Sequence, residues 1–485
     1  MTTETARQQQ SNTPARDIPL CVDLDGTLIR SDVTFESICL LARKHPGQLW
    51  RLPLWGRRGR VIMKNKLARF VAIDPAALPY NEQLLTWLRQ QKDLGRTLVL
   101  ATASHIGHAQ AIAEYLGLFD AVVATDQEQN LKGVHKAAAL ASRFGIKGFD
   151  YVGDAMVDLP IFKAAREAIL VNPSPALARA AQDVAQVSAI LRDPPPSWKV
   201  RLKALRVHQW VKNFLVLVPF VLGHRWGGLF GSGLLAMLAM SMAASSAYLL
   251  NDLLDLEADR HHPRKRRRPL ASGAMGLREA LLWIPALFGG AMCLGLIALP
   301  WPFVLVLLGY YATTLAYSWI LKGIVLLDVL VLAGLYTIRL AAGAAAGSIV
   351  VSSWLLAFSL FVFLSLALLK RYTELLVMQV EGRHSALGRG YAVTDLALLP
   401  SLGCAAGYMA VLVLALYIDS PDILALYSHP TLVWLLCPLL LYWISRVWLL
   451  AHRGQMHDDP VVFAIEDRTS QFIALATLLI LWLAI

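Results

Sequence analysis

The chain has 485 residues, and its composition changes along its length. Up to about residue 200 it has the mixed composition of a soluble protein, whereas apolar runs of about 20 residues recur beyond that point. The formal net charge of +11 would suit a nucleic-acid partner, but the basic residues cluster beside the apolar runs and around candidate phosphate sites. Anionic lipids and phosphorylated substrates explain that distribution better, so the composition argues against nucleic-acid binding.

Carboxylates follow the first predicted strand of the soluble half. Residues 1–17 are polar and lack the pattern of a signal peptide, so we expect a disordered tail followed by a cytosolic domain. From Ile18 the run IPLCVDLDGT is typical of a buried strand that ends in Asp23 and Asp25. A carboxylate at a strand end can attack phosphorus, and one two residues later can protonate the leaving oxygen.

Three later segments supply further polar residues in a fixed order. Residues 97–104, TLVLATAS, are predicted to form a second strand that carries Thr102, and the segment LKG contains Lys132. The segment YVGDAMVDLP then contributes Asp154 and Asp158. Each signal is weak alone, because such residues are common at turns and surfaces. Alternating helical and strand patterns predict a parallel sheet covered by helices.

Together these segments resemble the haloacid dehalogenase (HAD) superfamily of phosphatases, whose first motif is D-x-D-x-T. The resemblance implies that Asp23 is the nucleophile and Asp25 the general acid and base. It implies that Thr102 hydrogen-bonds the phosphoryl group and that Lys132 neutralises it. It also implies a magnesium ion held by Asp23, Asp154 and Asp158.

The predicted soluble domain covers residues 18–192, with an inserted helical cap at about 33–90. The cap carries five basic residues, for which substrate binding and a basic face against the bilayer are equally favoured: Arg57, Arg58, Arg60, Lys64 and Lys66. An alanine-rich segment from Ala176 to Leu191 is predicted to be a helix. Prolines in DPPPSWK then predict a stiff linker over residues 193–204.

Residues 205–485 are predicted to form a membrane domain with nine spanning helices. The apolar runs lie at 207–225, 229–250, 279–298, 301–321, 324–346, 352–370, 395–417, 431–450 and 469–485. Basic residues concentrate in alternate loops, so the soluble domain and the polar motifs are predicted to share the cytoplasmic side of a bacterial inner membrane.

The most distinctive polar segment follows the second apolar run and reads NDLLDLEADRHHPRKRRRPLASG, from Asn251 to Gly273. Asp252, Asp255 and Asp259 are spaced i, i+3 and i+7, which puts them on one face of a helix. Such carboxylates suit magnesium, and the following arginines suit phosphate oxygens. A solvated loop that follows the positive-inside rule would explain the arginines but not the spaced acids.

This segment resembles the UbiA superfamily of intramembrane prenyltransferases, whose first aspartate motif is N-D-x-x-D-x-x-x-D. The resemblance implies a second magnesium site formed by Asn251, Asp252, Asp255 and Asp259. A second aspartate motif, typical of the superfamily after the sixth span, is missing from the basic loop KRYTELLVMQVEGRHSALGRGYAVTD. In lacking this motif the chain resembles the decaprenyl-phosphate phosphoribosyltransferase branch of the superfamily. Three further segments also resemble that branch: HQWVKN, YSWILKGIVLLD and KRYTEL.

Members of that branch transfer 5-phosphoribose from phosphoribosyl diphosphate (PRPP) to a polyprenyl phosphate. The resemblance and the charges predict a set of substrate-binding residues: Lys212, Asn213, Arg267, Arg268, Tyr317, Lys322, Lys370, Arg371, Tyr372 and Arg383. For the tyrosines, interfacial anchoring or bundle packing is an alternative. Asp328 lies in wholly apolar surroundings, so we expect it to pair with a basic residue near the site.

The sequence thus predicts a two-part, bifunctional enzyme: an N-terminal α/β HAD-like Rossmannoid domain with a helical cap, and a C-terminal all-α UbiA-like bundle. The bundle would ribosylate a polyprenyl phosphate, and the HAD-like domain would remove the 5-phosphate, with magnesium at both sites and a homo-oligomer possible. Two alternatives stay open. The bundle could transfer a prenyl group to an aromatic acceptor, or the HAD-like domain could be a regulatory or docking module.

Overall fold

The computed structural model describes residues 18–126, 130–194, 197–224, 227, 229–350, 352–380, 382, 390–424, 426–456 and 460–485. The chain divides into two compact units, an N-terminal unit of Met1–Leu205 with Asp252–Leu282 and a bundle unit of Arg206–Asn251 with Trp283–Ile485. The boundary after Leu205 coincides with the predicted start of the membrane domain. The segment 252–282, which the sequence assigns to the membrane domain, clusters with the N-terminal unit.

The N-terminal unit is built on a six-stranded parallel sheet with strand order β3-β2-β1-β4-β5-β6. Its strands are β1 (Leu20–Val22), β2 (Leu98–His105), β3 (Ala121–Thr125), β4 (Asp150–Gly153), β5 (Glu167–Val171) and β6 (Gln186–Leu191). The chain builds outward from β1 to β3, then returns to the other side of β1 with β4. Ligands of such sheets bind where this reversal occurs, beyond the carboxyl ends of the strands.

Helices cover this sheet, as the alternating pattern predicts. They are α1 (Val33–Lys44), α2 (Leu52–Arg57), α3 (Arg60–Phe70), α4 (Glu82–Asp93), α5 (Ile106–Leu116), α6 (Val134–Phe144), α7 (Leu159–Ala164), α8 (Pro175–Val184) and α9 (Trp198–Ala204). The start of α1 is defined by Asp32, whose carboxylate accepts from the backbone N–H groups of Thr34 and Phe35. Helices α1 to α4 occupy the predicted cap region.

One local prediction about the end of the soluble domain is wrong. The predicted helix over Ala176–Leu191 ends at Val184, and residues 186–191 instead form the edge strand β6. In β6 the side chains alternate between exposed and half-buried, which is the period of a strand. The predicted linker contains the helix α9, which begins two residues after its last proline.

The rest of the chain is almost entirely helical. Its helices are α10 (Val218–Leu222), α11 (Leu229–Leu254), α12 (Leu256–His261), α13 (Leu277–Ala298), α14 (Trp301–Trp319), α15 (Leu327–Ala346), α16 (Ser353–Val380), α17 (Leu399–Ile418), α18 (Pro421–Leu424), α19 (Leu436–His452), α20 (Pro460–Glu466) and α21 (Arg468–Ala484). The predicted all-α character of this half is confirmed.

Within the described residues, six helices are long and apolar enough to cross a membrane. They are Phe230–Leu254, Leu277–Ala298, Leu327–Ala346, Ser353–Val380, Leu399–Ile418 and Pro430–His452. The other three predicted spans coincide with α14 and with the shorter apolar helices Val207–Leu222 and Arg468–Ala484. The chain is therefore a multi-pass membrane protein, and the count of nine spans stays a prediction.

Small residues let the bundle helices approach closely. An added Cβ at Gly343 would lie 1.9 Å from the backbone oxygen of Val216, and one at Gly403 would lie 1.9 Å from the Trp448 ring. Ser365 completes the second contact, because it donates to the Gly403 carbonyl and accepts from the Trp448 indole. Such contacts drive helix association in lipid, where apolar burial alone contributes little.

The buried carboxylate of Asp150 offers a test of the N-terminal fold. It is 1% exposed and accepts from Arg96, Arg166 and the backbone N–H of Glu167. We expect Asp150→Ala to destabilise the unit by about 3 kcal/mol, because two guanidinium groups would lose their anion. Scanning calorimetry of the full chain in detergent should show a lower first transition. Lys92→Gln, which breaks an exposed ion pair with Asp120, should change it by less than about 1 kcal/mol.

Candidate functional site

The predicted phosphatase residues meet at the carboxyl edge of the parallel sheet. Asp23 directly follows β1, Thr102 lies in β2 and Asp154 directly follows β4. Asp158 ends a short 3-10 turn after β4 and is 1% exposed. Since β1 lies between β2 and β4, the three strands bring these side chains to the point where the strand order reverses.

Three carboxylates of this group converge on one point. Asp23, Asp154 and Asp158 each offer an oxygen, and these atoms all lie within 4.8 Å of one another. Burial first, and then repulsion from neighbouring carboxylates, raises the pKa of Asp154 and of Asp158 to about 7. Hard, closely spaced oxygen ligands that repel one another suit a divalent cation such as magnesium, so the donor set fits the predicted metal.

Glycine allows the first loop to approach the carboxylate cluster. Gly26 has φ +80°, and an added Cβ there would lie 2.3 Å from an Asp154 carboxylate oxygen. The adjacent Thr27 donates its hydroxyl hydrogen to Asp154 at 3.0 Å. A larger residue at position 26 would therefore both strain the backbone and displace a candidate metal ligand.

The lysine beside Asp23 is Lys136 and not the predicted Lys132. The Lys136 ammonium donates to Asp23 Oδ1 at 2.9 Å and lies 3.9 Å from Asp158, and its side chain is 2% exposed. Burial lowers its pKa, but the carboxylates of Asp23 and Asp158 outweigh burial and raise it. Lys132 is exposed and precedes α6, whereas Lys136 lies one helical turn later on the face towards the sheet.

Asp25 is held in a position suited to proton transfer. Its Oδ1 accepts from the Val33 backbone N–H and its Oδ2 from the Ser104 hydroxyl, each at 2.7 Å. Burial, followed by the negative charge of Asp32, raises the pKa of Asp25 to about 7. A carboxyl with that pKa can both donate and accept a proton near neutral pH.

Thr102 is fully buried in β2. Its hydroxyl oxygen accepts from the Ser104 backbone N–H at 3.0 Å. Ser104, which the sequence analysis missed, therefore connects Thr102 to Asp25. Its signal was its place in the segment TLVLATAS, two residues after Thr102 on the same side of the strand.

One cap lysine reaches the same edge of the sheet. The Lys64 ammonium, on α3, donates to the Ala103 carbonyl and to Asn130 Oδ1, the latter at 3.1 Å. Burial lowers the pKa of Lys64, while Asp25 and Asp32 act in the opposite direction. Its neighbours Arg57, Arg58 and Arg60 are exposed. The geometry favours substrate binding for Lys64 and leaves a bilayer-facing role open for the arginines.

The polar segment from Asn251 to Gly273, called the aspartate segment below, does not form one continuous helical face. Helix α11 ends at Leu254 and α12 begins at Leu256, so Asp255 lies at a break between helices. Asp252 and Asp259 are buried and both accept from Arg268 Nη1, at 3.1 and 2.6 Å. Asp255 lies 4.0 Å from Arg43.

Oxygen atoms of Asp252, Asp255 and Asp259 do not converge as those of Asp23, Asp154 and Asp158 do. Among the described residues only the second group forms a three-acid cluster. Burial nevertheless raises the pKa of Asp259. The donor types suit magnesium, but Arg268 neutralises two of the acids in this arrangement. Arg267, its predicted partner in substrate binding, is exposed.

Two predicted substrate residues of the bundle, Lys212 and Asn213, are buried. Lys212 lies 5.7 Å from the centre of the Tyr336 ring and is 7% exposed. The Asn213 amide donates to Ser241 and accepts from Arg339. Arg339 also donates to the Tyr310 hydroxyl and is 5% exposed. Arg339 was not among the predicted site residues, although a lone arginine within an apolar span is itself a functional signal.

A second buried group in the bundle centres on Arg371. Its guanidinium donates to Asp328 at 2.6 Å, and also to Glu374 and to the Tyr317 hydroxyl. Asp328 also accepts from the Tyr391 hydroxyl at 2.6 Å. The expectation that Asp328 pairs with a basic residue is confirmed.

The remaining predicted residues are more dispersed. Lys322 donates to Asn251 Oδ1 at 3.4 Å, so this predicted metal ligand lies beside a cation. The Tyr372 hydroxyl lies 3.1 Å from His452 Nδ1, and Lys370 is half-buried. Arg383 lies outside the described residues, as do His457, Asp458 and Asp459 of the last polar loop.

The fold and the two sites define a class of enzyme. It consists of a helical membrane transferase joined to an α/β domain with a HAD-like arrangement of strand-end acids. Residues 214–482 match the model of the UbiA prenyltransferase family, and the chain belongs to that family.

Three proteins are similar to this chain. Uncharacterized protein y4nM of Sinorhizobium fredii is 38% identical over 94% of this chain and 89% of its own. Nodulation protein NoeC of Azorhizobium caulinodans is 36% identical over 55% of this chain and 87% of its own. Decaprenyl-phosphate phosphoribosyltransferase of Mycobacterium tuberculosis is 33% identical over 57% of this chain and 90% of its own.

The two lysines near the start of α6 can be distinguished by substitution. We expect Lys136→Ala to lower phosphatase turnover by roughly 100-fold, because Asp23 and the transferred phosphoryl group would lose a buried cation. Lys132→Ala should stay within about twofold of wild type. Hydrolysis of p-nitrophenyl phosphate by the full chain in detergent with magnesium measures both. A larger loss for Lys132→Ala would contradict the assignment.

Arg58, an exposed residue six positions before Lys64, is a control for substitution of the cap lysine. Lys64→Met should lower phosphatase kcat/KM by about tenfold, since it removes a positive charge beside Asp25 and the phosphoryl site. The exposed Arg58→Met should leave kcat/KM unchanged. If both variants instead kept phosphatase activity and lost binding to anionic liposomes equally, the segment would serve the membrane and not the substrate.

Proposed function

We propose that the chain is a bifunctional enzyme that makes a polyprenyl-phosphate ribose in two steps. The membrane domain transfers 5-phosphoribose from PRPP to a polyprenyl phosphate, with a decaprenyl-type lipid as the expected acceptor. The N-terminal domain then removes the 5-phosphate. The distribution of basic residues among the loops favours the cytoplasmic face of a bacterial inner membrane for both reactions.

One observation carries the phosphatase half of this proposal. Asp23, Asp154, Asp158 and Lys136 surround one point at the carboxyl edge of a parallel sheet, with Asp25 alongside. That set contains a nucleophile, a proton donor, a metal site and a cation, which are all the groups that phosphomonoester hydrolysis requires. A purely regulatory module would need none of this chemistry.

The transferase half is supported by a named relative and by buried cations. A relative that shares 33% identity with the membrane half is a decaprenyl-phosphate phosphoribosyltransferase. Arg339, Arg371 and Lys212 are buried among polar partners in the bundle unit, where an unneeded cation would be costly. PRPP and the polyprenyl phosphate both carry phosphate groups that such cations could bind.

In the first reaction, an oxygen of the lipid phosphate attacks C1 of the ribose, and the C1–oxygen bond to the diphosphate breaks. Asp252, Asp255 and Asp259, once drawn together, would hold a magnesium ion that neutralises the departing diphosphate. Arg268, which neutralises two of these acids, would turn to the diphosphate once their charge is balanced. The products are phosphoribosylated lipid and diphosphate.

In the second reaction, the Asp23 carboxylate attacks the 5-phosphate and Asp25 protonates the ribose oxygen as it leaves. Lys136 and Thr102 hold the phosphoryl group, and magnesium at the three-acid cluster would neutralise its charge. Asp25 then takes a proton from water, which hydrolyses the aspartyl phosphate and releases inorganic phosphate. The raised pKa of Asp25 suits both proton transfers.

The decisive experiment follows two labels at once. Full-length protein in detergent with magnesium receives a polyprenyl phosphate and PRPP that carries ¹⁴C in the ribose and ³²P in the 5-phosphate. Wild type should give a lipid with ¹⁴C alone and release ³²P as inorganic phosphate. Asp23→Asn should give a lipid with both labels, because transfer proceeds and the nucleophile is lost. Asp252→Asn should label no lipid.

The same assay separates the alternatives. Lipid that keeps ³²P in wild type would overturn the phosphatase half only. If no lipid is labelled, the donor assignment fails, and labelled prenyl diphosphate with a panel of phenolic acids tests prenyl transfer to an aromatic acceptor. Family membership alone is compatible with that second activity.

A further inference from the structure

A buried ion pair joins the aspartate segment to the phosphatase fold inside the N-terminal unit. Arg260, directly after Asp259, donates through Nη1 and Nη2 to the two carboxylate oxygens of Glu36, at 3.0 and 2.7 Å. The side chains of Arg260 and Glu36 are 6% and 5% exposed. A paired, planar contact of this kind fixes both the distance and the orientation of its partners.

Each side of the pair is tied to further structure. Glu36 also accepts from the Ser31 hydroxyl, and Arg260 donates through Nε to the Ala271 carbonyl at 3.0 Å. The pair therefore connects α1 to two parts of the aspartate segment, the helix α12 and the turn RPLASG. Neither function proposed above uses Glu36 or Arg260.

Other contacts define the same interface. Arg278 donates to Asp32 at 2.7 Å and lies over the Phe35 ring. Gly273, at φ +72°, approaches so closely that an added Cβ would lie 2.8 Å from the Arg30 Cβ. The fit is therefore steric as well as ionic.

Helix α1 leads from this interface into the phosphatase site. Its first residue, Val33, donates its backbone N–H to Asp25, the proposed general acid and base. Glu36 lies one turn further along the same helix. At the other side of the pair, Asp259 precedes Arg260 and shares Arg268 with Asp252. Helix α1 and the Glu36–Arg260 ion pair thus connect Asp25 of the proposed phosphatase site to Asp259 of the proposed transferase site.

We propose that Glu36 is a positioning residue for the transferase: through Arg260 it holds the aspartate segment in its working arrangement. This inference rests on the proposed role of Asp252 and Asp259 in transfer. The phosphatase domain then supports the first reaction as well as performing the second. Loss of Glu36 would leave Arg260 as a buried, unpaired cation that must move, and Asp259 would move with it.

The test compares three variants of the full chain in detergent. Glu36→Gln and Arg260→Gln break the buried pair, whereas Glu257→Gln breaks an exposed pair between the same segment and Lys44. Each preparation is assayed for ribosyl transfer with PRPP, for hydrolysis of p-nitrophenyl phosphate and for its thermal midpoint. We expect both buried-pair variants to lose roughly ten- to hundredfold in transfer kcat, with phosphatase turnover within about twofold of wild type. Glu257→Gln should match wild type in both reactions.

Charge exchange separates positioning from general stability. The double variant Glu36→Arg, Arg260→Glu restores a pair of opposite charge and should recover part of the lost transfer rate. Unchanged transfer in a stable Glu36→Gln or Arg260→Gln protein would overturn the inference. So would a parallel fall of both activities with the thermal midpoint, because that result indicates a structural role only.

Failure of the proposed function gives a different pattern. If wild type transfers no ribose, that function is overturned, and the same variants are compared in prenyl transfer, which relies on the same aspartate segment. A selective loss in the buried-pair variants would then still support positioning by Glu36. Equal prenyl transfer in all variants would overturn it.

Discussion

Carboxylates removed from water lie against cations throughout this chain. Asp23 contacts Lys136, Glu36 contacts Arg260, and Asp328 contacts Arg371, in three different parts of the sequence. A buried ion pair adds little net stability compared with apolar packing, but removal of one partner strands a charge at a cost of about 3–5 kcal/mol. These pairs therefore fix geometry more than they add stability. Each lies at or next to a site with a proposed function, where fixed geometry is what the chemistry needs.

The strand-end acids could be predicted from the sequence because each follows a recognisable buried strand. Parallel strands deliver their carboxyl ends to one edge, so Asp23, Thr102 and Asp154 had to meet once the sheet was recognised. Lys136 was harder to identify, since the choice between it and Lys132 depends on where α6 begins, and helix boundaries are the least certain part of a sequence pattern. The strand β6 was hidden for a related reason, because alanine in a short amphipathic run favours a helix unless a neighbouring strand is available to pair with it.

Contacts between residues far apart in the chain could not be predicted from local sequence patterns. The spacing of Asp252, Asp255 and Asp259 predicts one helical face only if the helix is continuous, and the break at Asp255 separates them. Glu36 and Arg260 are 224 residues apart, and each looks alone like an ordinary surface charge of an amphipathic helix. Arg339 was visible as a charge in an apolar span, but its partners Asn213 and Tyr310 lie on other helices.

The N-terminal compact unit is not one continuous stretch of the chain, because it includes residues 252–282. The enzyme therefore cannot be divided at the predicted linker without cutting through this unit. A cut in the predicted linker at 193–204 would separate Glu36, Asp32 and Arg30 from the segment 252–282 that covers them. Glu36 would then lose the guanidinium that balances its charge, and Asp32 would lose Arg278 while still capping α1. Because Val33 at the start of α1 also holds Asp25, the effect of removing the whole covering segment, unlike that of losing one ion pair, would extend to the candidate phosphatase site. Residues 18–192 are thus a domain by sequence motif, while the unit that satisfies its own buried charges also includes the aspartate segment.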